Sequence, residues 1–193
     1  MSFQCDRFYH IYNRGNNKQK IFFTNANYRF FLQKVAKEIA PASDLVCYCL
    51  MPNHYHFMIY FGSGHRNFRQ AINMENLERK IGTLQSSYTR AINYQEKRVG
   101  SLFQAKFKVV DIDDFDQART CFRYIHRNPV KAGLVAEAQK WIHSSFNEYL
   151  DLTDGLCNKN VAYERLHIPQ AGQDFWKWSQ RVVDEADEDR FWL

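Results

Sequence analysis

Apolar positions along the first 130 residues follow two alternating periods. Residues 8–12, Phe-Tyr-His-Ile-Tyr, are aromatic or β-branched and stop at Asn13-Arg14-Gly15, which predicts a strand followed by a turn. Tyr28, Phe31, Leu32, Val35 and Ile39 then recur at helical spacing, predicting a helix that Thr24 or Asn25 caps and Pro41 ends. Residues 45–51 and 54–61 read as two strands joined by a tight hairpin at Pro52-Asn53. Leu77, Ile81, Leu84, Tyr88 and Ile92 mark a long amphipathic helix over about residues 68–94. A fourth strand is predicted over 103–112. Asp113 or Asp114 caps a last core helix, with Phe115, Ala118, Phe122 and Ile125 as its core stripe. That helix is expected to end near Asn128, because the residue before Pro129 is pushed out of helical geometry.

The order β-α-β-β-α-β-α opens as a split βαβ unit. It predicts an α+β, ferredoxin-like fold: an antiparallel sheet with helices on one face. Beyond Gly133 the pattern decays into a further helix near residues 141–150 and a polar stretch at 151–160. The expected organisation is one domain over residues 1–150 and an accessory segment over 151–193.

Composition narrows the class. With 193 residues, 45% hydrophobic and 24% charged, and only 4 Pro and 8 Gly, the chain reads as globular and not as disordered, collagenous or low-complexity. No run approaches the roughly 18 apolar residues of a membrane span, and no apolar stretch follows the first residues as in a signal peptide. The expectation is a cytoplasmic protein with no membrane partner. The 5 cysteines are odd in number, and Cys47 and Cys49 are one residue apart, which argues against a disulfide scaffold and a cysteine zinc site.

Charge is unevenly placed. Residues 171–193 hold three basic and six acidic side chains; removing that −3 from the overall +5 leaves a body of +8 before an acidic tail. Between Arg66 and Lys108 nine basic residues face three acidic ones, interleaved with Tyr88, Tyr94, Phe103 and Phe107. Such a stretch suits nucleic acid, where phosphates take the charge and unpaired bases stack on rings. It equally describes a solvated helix face over core aromatics.

The chemistry-bearing residues are few. On the predicted second hairpin strand, His54 and His56 share a face while Tyr55 points the other way. Two imidazoles on one face suit a divalent cation that takes a further ligand elsewhere; they also suit a half-exposed strand. On the last core helix, Gln117, Cys121, Tyr124 and Asn128 form a second stripe about 100° from the core stripe. If that helix packs over the histidine face, Asn128 offers a carbonyl oxygen and Tyr124 a phenol one turn away. A cation, a phenol and a basic surface together suggest phosphodiester chemistry with a tyrosine nucleophile. The alternative for Tyr124 is a semi-buried structural tyrosine.

Four ordered motifs then carry a resemblance. They are Tyr9-His10-Ile11-Tyr12-Asn13-Arg14-Gly15, Leu50-Met51-Pro52-Asn53-His54-Tyr55-His56-Phe57, Gly100-Ser101-Leu102-Phe103-Gln104, and the run from Tyr124-Ile125-His126-Arg127-Asn128-Pro129 to Val135. Over roughly residues 7–150 the chain resembles single-tyrosine HUH transposases, and within them the REP-associated tyrosine transposases; Trp141 and Ser144-Ser145-Phe146 resemble the segment after the tyrosine helix of that branch. The resemblance implies that His54 and His56 are the metal-binding pair, Tyr124 the catalytic tyrosine and Asn128 the third ligand. Insertion-sequence relatives often carry Gln there, and the shorter Asn requires a closer helix. It also implies cleavage of single-stranded DNA beside a folded hairpin, a 5′-phosphotyrosine intermediate, a free 3′-hydroxyl, and rejoining without a nucleotide cofactor. The acidic tail has no counterpart in that family.

A phenol with a reference pKa near 10 needs a cation on the phosphate to become an effective nucleophile at neutral pH. Mg²⁺ or Mn²⁺ suits hard phosphate oxygens better than zinc. Arg14, Arg90, Lys106, Lys108, Arg127 and Lys131 are the cations expected to meet single-stranded or hairpin DNA. A monomer and a homodimer both fit these residues. Tyr88 is a rival nucleophile, though it lies on a core stripe. His10 reads as a sheet-face residue and His126 as turned about 200° from Tyr124, so neither joins the expected metal site. Two other functions share these residues: a replication-initiator or relaxase-like nickase, and a hairpin-binding protein without turnover.

Overall fold

The structure is a computed structural model that describes residues 4–62, 74–170, 172–181 and 191, with backbone alone for 74–76. The expected helix start at residue 68, Arg66 and Arg69 of the basic stretch, and the acidic residues between 184 and 189 lie outside the described residues. Four strands, β1 (Arg7–Arg14), β2 (Asp44–Met51), β3 (His54–Phe61) and β4 (Lys108–Ile112), form one sheet in the order β2-β3-β1-β4. Every neighbouring pair is antiparallel. This is the split βαβ arrangement read from the element order. The β2–β3 turn is Pro52-Asn53, with Met51 opposite His54.

Helix α1 (Asn25–Glu38) and helix α2 (Met74–Gln95) cover one face. The side-chain oxygen of Asn27 accepts the N–H of the N-cap residue Thr24 at 3.0 Å, as in a capping box, and also that of Phe23 just before the helix at 3.0 Å. Phe31, Val35, Leu77, Ile81, Leu84, Tyr88 and Ile92 then bury against Tyr9, Ile11, Tyr55 and Phe57 of the sheet.

The other face is covered too, which departs from the expectation of helices on one side. Helix α3 (Phe115–Lys131) lies on it, followed by α4 (Phe146–Leu150), α5 (Lys159–Leu166) and α6 (Gly172–Ser179). Phe8, Cys47, Cys49 and Met58 of the sheet join Phe122, Ile125, Phe146, Leu166, Phe175 and Trp178 in a second core. Its physical origin is the sheet itself: β2 and β3 are buried along nearly their whole length, so both faces need cover.

Three local expectations change. First, α3 runs through Pro129 to Lys131. A proline so near the C-terminus removes one hydrogen bond, to the Ile125 carbonyl, and the turn closes through Ala132 N–H to Asn128 O at 2.9 Å. Second, only residues 146–150 of the expected helix at 141–150 are helical. The preceding residues lie along the outer edge of β2, where Leu50 N–H donates to His143 O (2.9 Å) and Ser145 N–H to Tyr48 O (3.0 Å). An open strand edge needs such partners. Third, β4 begins at Lys108 and not at 103; Phe103 instead bridges Gly15 at the end of β1. Gly15 is required there, since a Cβ would sit 2.1 Å from the Gln19 carbonyl oxygen.

Candidate active site

Strand alternation puts Phe8, His10, Tyr12 and Arg14 of β1 on the α3 face, and His54, His56 and Met58 of β3 beside them. Arg14 pairs with His54, and Tyr12 with His56. The Asp114 side chain accepts the Asp116 N–H and fixes the start of α3. From that start, Tyr124 and Asn128 fall on the turns facing the histidines. The Tyr124 ring centroid is 5.7 Å from His56 and 6.0 Å from His10, edge-on to both. His54, His56, Tyr124, Asn128 and Arg14 therefore meet at one end of the sheet.

Ala118, Phe122 and Ile125 of the expected core stripe are fully buried, and Cys121 and Tyr124 of the second stripe are buried as well, with Gln117 and Asn128 half-buried, because α3 is packed between the sheet and the C-terminal helices. Tyr124 is 5% exposed, whereas Phe115 of the expected core stripe is 48% exposed. Phe122 faces outward from the sheet, to Tyr149, Phe175 and Trp178. Phe191 closes over the site, 2% exposed, with its ring 5.6 Å from Tyr124 and 6.0 Å from His10.

Hydrogen bonds orient each group. His54 Nδ1 lies 2.6 Å from Asn53 Oδ1, and His56 Nδ1 lies 2.8 Å from His10 Nε2. Asn128 Nδ2 donates to the Tyr124 carbonyl at 2.8 Å, so the amide oxygen is the atom of that side chain suited to a cation. Burial lowers the His54 pKa to about 4; Arg14 adds to the fall and hydrogen bonding with Asn128 opposes it. Burial, then His54, His10 and Arg14, hold His56 well below its ordinary value. Burial raises Tyr124 above the ordinary phenol, with Asn128 and Arg14 acting in the opposite direction.

Among the described residues no group of three or more His, Cys, Asp or Glu is placed to hold a metal ion. The donor set is two neutral imidazoles, each committed at Nδ1 to the protein, plus one carboxamide oxygen. Such a set fits a divalent cation held loosely and completed by substrate oxygens.

The remaining predicted residues are spread around this end and the first face. Arg90 lines a groove of about 470 Å³ with Ser86, Thr89 and Asn93 of α2 and Ser101 and Gln104 of the following loop. The groove adjoins β1, since Gln104 N–H donates to Arg14 O at 2.9 Å. Lys106, Lys108 and Lys131 are exposed, while Arg127 is half-buried and donates to Arg181 O at 3.1 Å. Tyr88 is buried in the first core with its hydroxyl on Ile21 O at 2.7 Å, far from the histidine face. His126 is bound to Ser145 Oγ at 2.8 Å and stays out of the site. His10 is the residue that sequence reasoning set aside and the structure brings in. Its signal was the Phe8-His10-Tyr12 alternation, readable only once β1 is known to pair with β3.

No protein-family model matches the chain, and no curated protein matches its sequence. Its fold is that of a solved REP-associated tyrosine transposase bound to a REP hairpin, with a TM-score of 0.58 and 19% identity over 77% of this chain and 81% of that one. A candidate transposase from Deinococcus radiodurans is similar at a TM-score of 0.39 and 15% identity, over 62% of this chain and 88% of that one. The shared architecture is the four-stranded antiparallel sheet with helices packed on it. Among the described residues no helix is long and apolar enough to cross a membrane.

Proposed function

We propose that this protein is a metal-dependent, single-tyrosine transposase that cleaves and rejoins single-stranded DNA beside hairpins. The observation carrying the proposal is the convergence of Tyr124, His54, His56, Asn128 and Arg14 on one face, in a fold shared with a hairpin-bound transposase. His54 and His56, through Nε2, and Asn128, through its carboxamide oxygen, are the residues that would hold Mg²⁺ or Mn²⁺. Such a cation would supply electrostatic stabilisation of the charge that develops on the scissile phosphate.

Tyr124 Oη attacks phosphorus, and the bond from phosphorus to the 3′ oxygen breaks. The phenolic proton ends on the leaving 3′ oxygen, giving a free 3′-hydroxyl and a 5′-phosphotyrosine. Arg14, beside His54, adds positive charge next to the reacting phosphate without taking a proton. The same steps in reverse, with another 3′-hydroxyl, rejoin strands. Beyond Arg14 the strand enters the groove along α2, where Arg90 meets phosphate; Lys106, Lys108, Arg127 and Lys131 supply further phosphate contacts.

Replacing Tyr124 by Phe tests this. The variant is expected to bind a hairpin oligonucleotide as the wild type does and to form no denaturant-resistant protein–DNA adduct. Undiminished adduct rejects Tyr124. A second reading, hairpin binding without turnover, is favoured by the burial of Tyr124 beneath Phe191. It predicts that the wild type forms no adduct at all.

A further inference from the structure

One buried polar side chain at this site has no task in the proposed reaction. His10 is wholly inaccessible. It sits opposite Met58 in the β1–β3 register, hence diagonal to His56, and the two rings stack 5.0 Å apart at 17°. Its Nε2 lies 2.8 Å from His56 Nδ1.

Two neutral imidazoles that meet nitrogen to nitrogen share one proton in one of two ways. If His10 Nε2–H donates, His56 carries its own proton on Nε2 and has no lone pair there for a cation. If His56 Nδ1–H donates, His56 Nε2 is a lone-pair donor, and His10 carries its proton on Nδ1. His54 provides the reference. Its Nδ1 faces Asn53 Oδ1 at 2.6 Å, and an amide oxygen only accepts, so His54 is protonated on Nδ1.

We infer that His10 is a positioning residue that accepts the His56 Nδ1 proton and so presents His56 Nε2 to a divalent cation; this rests on the metal site proposed above. Ligand histidines commonly lean on a carboxylate or a backbone carbonyl. A neutral imidazole does the same orienting work without placing a negative charge beside the phosphate that Arg14 and the cation are to receive. The cost falls on His10 Nδ1, a buried atom with no hydrogen bond among the described residues. Cation binding is therefore linked to which ring of the pair carries the Nε2 proton.

The test uses the full chain without DNA, Mn²⁺ as the probe and electron paramagnetic resonance to measure free Mn²⁺. His10→Phe keeps a buried ring but removes the acceptor, and it is expected to weaken Mn²⁺ binding on the order of 10- to 100-fold. His10→Gln, which restores an acceptor, is expected to recover most of that loss. Ring ¹⁵N spectra of the Mg²⁺-loaded wild type are expected to show His56 protonated on Nδ1, a readout that does not depend on either variant folding. Wild-type affinity in a folded His10→Phe variant, or His56 protonated on Nε2 in the loaded wild type, overturns the inference while leaving the metal site standing. A wild type that binds no Mn²⁺ removes both.

Discussion

Among the described residues, the two faces of the sheet bury similar numbers of side chains and differ in what those side chains can do. The α1–α2 face is, among those residues, a continuous aromatic and aliphatic cluster with its ionisable neighbours at the margin, His143 stacked on Tyr28 and Glu148 accepting the Tyr48 hydroxyl; Phe31 alone touches Phe22, Tyr55, Phe57, Tyr88 and Phe103. The α3 face carries His10, His54, His56 and His126 among its apolar residues, with Arg14 at its end. One strand serves both, since Tyr55 belongs to the first core while His54 and His56 on either side of it face α3. A rigid apolar layer thus holds the backbone from which a costly polar layer is displayed. Buried imidazoles must stay neutral, and each needs a specific hydrogen bond.

The two faces are expected to fail differently. Phe31→Ala should destabilise the fold by about 3–5 kcal/mol through lost burial and a cavity, measured by urea unfolding. A loss below about 1 kcal/mol would mean that the first face is not the scaffold.

Acid should act through the second face. His10 and His126 are held down to about 3 and His54 to about 4 by burial. In the unfolded chain they take up protons near 6.5, so below that pH the unfolded state binds more protons than the folded one. Stability is expected to be flat above pH 7 and to fall as pH drops from 6.5 toward 4, followed as the thermal midpoint. A midpoint unchanged over that window would show that these rings are protonated, and solvated, in the folded protein.

The scaffold was the more legible of the two faces. Its periodicities at residues 28–39 and 77–92 and the hairpin at Pro52-Asn53 are local signals, and they reappear as α1, α2 and the β2–β3 turn. The cover on the second face was harder to read, although residues 45–51 are apolar nearly throughout and not alternating, which is the mark of a strand buried on both sides. His54, His56, Tyr124 and Asn128 were named from strand and helix periodicity together with a resemblance in four motifs. Their meeting depends on α3 crossing to the far side of the sheet, which no local pattern specifies. His10 and the Phe191 contact were illegible for the same reason: each joins residues far apart in sequence.

Away from both cores, Tyr94 stands at the last turn of α2, 89% exposed and one residue beyond the groove residue Asn93. Tyr94→Ala should leave stability within about 0.5 kcal/mol. It should weaken binding of a hairpin with a single-stranded flank by about 1–3 kcal/mol, and of the blunt hairpin hardly at all, since unpaired bases stack on such rings. Equal losses for both DNAs would place the stem, not the flank, at this end of α2.

The smallest effect concerns access. Because Phe191 covers Tyr124, Phe191→Ala is expected to raise the initial rate of adduct formation several-fold without altering hairpin affinity. A slower rate would make Phe191 a support of the site and not its cover.

The central claim, that the polar face of the sheet carries the chemistry through Tyr124, is tested most directly by locating the covalent bond. Wild-type protein is incubated with Mn²⁺ and an oligonucleotide containing a hairpin and a single-stranded flank, then digested, and the nucleotide-bearing peptide is sequenced by mass spectrometry. The predicted result is a nucleotide attached through its 5′-phosphate to Tyr124, absent when Mn²⁺ is removed by chelation. Attachment at Tyr88, on the opposite face, or at any other residue would contradict it.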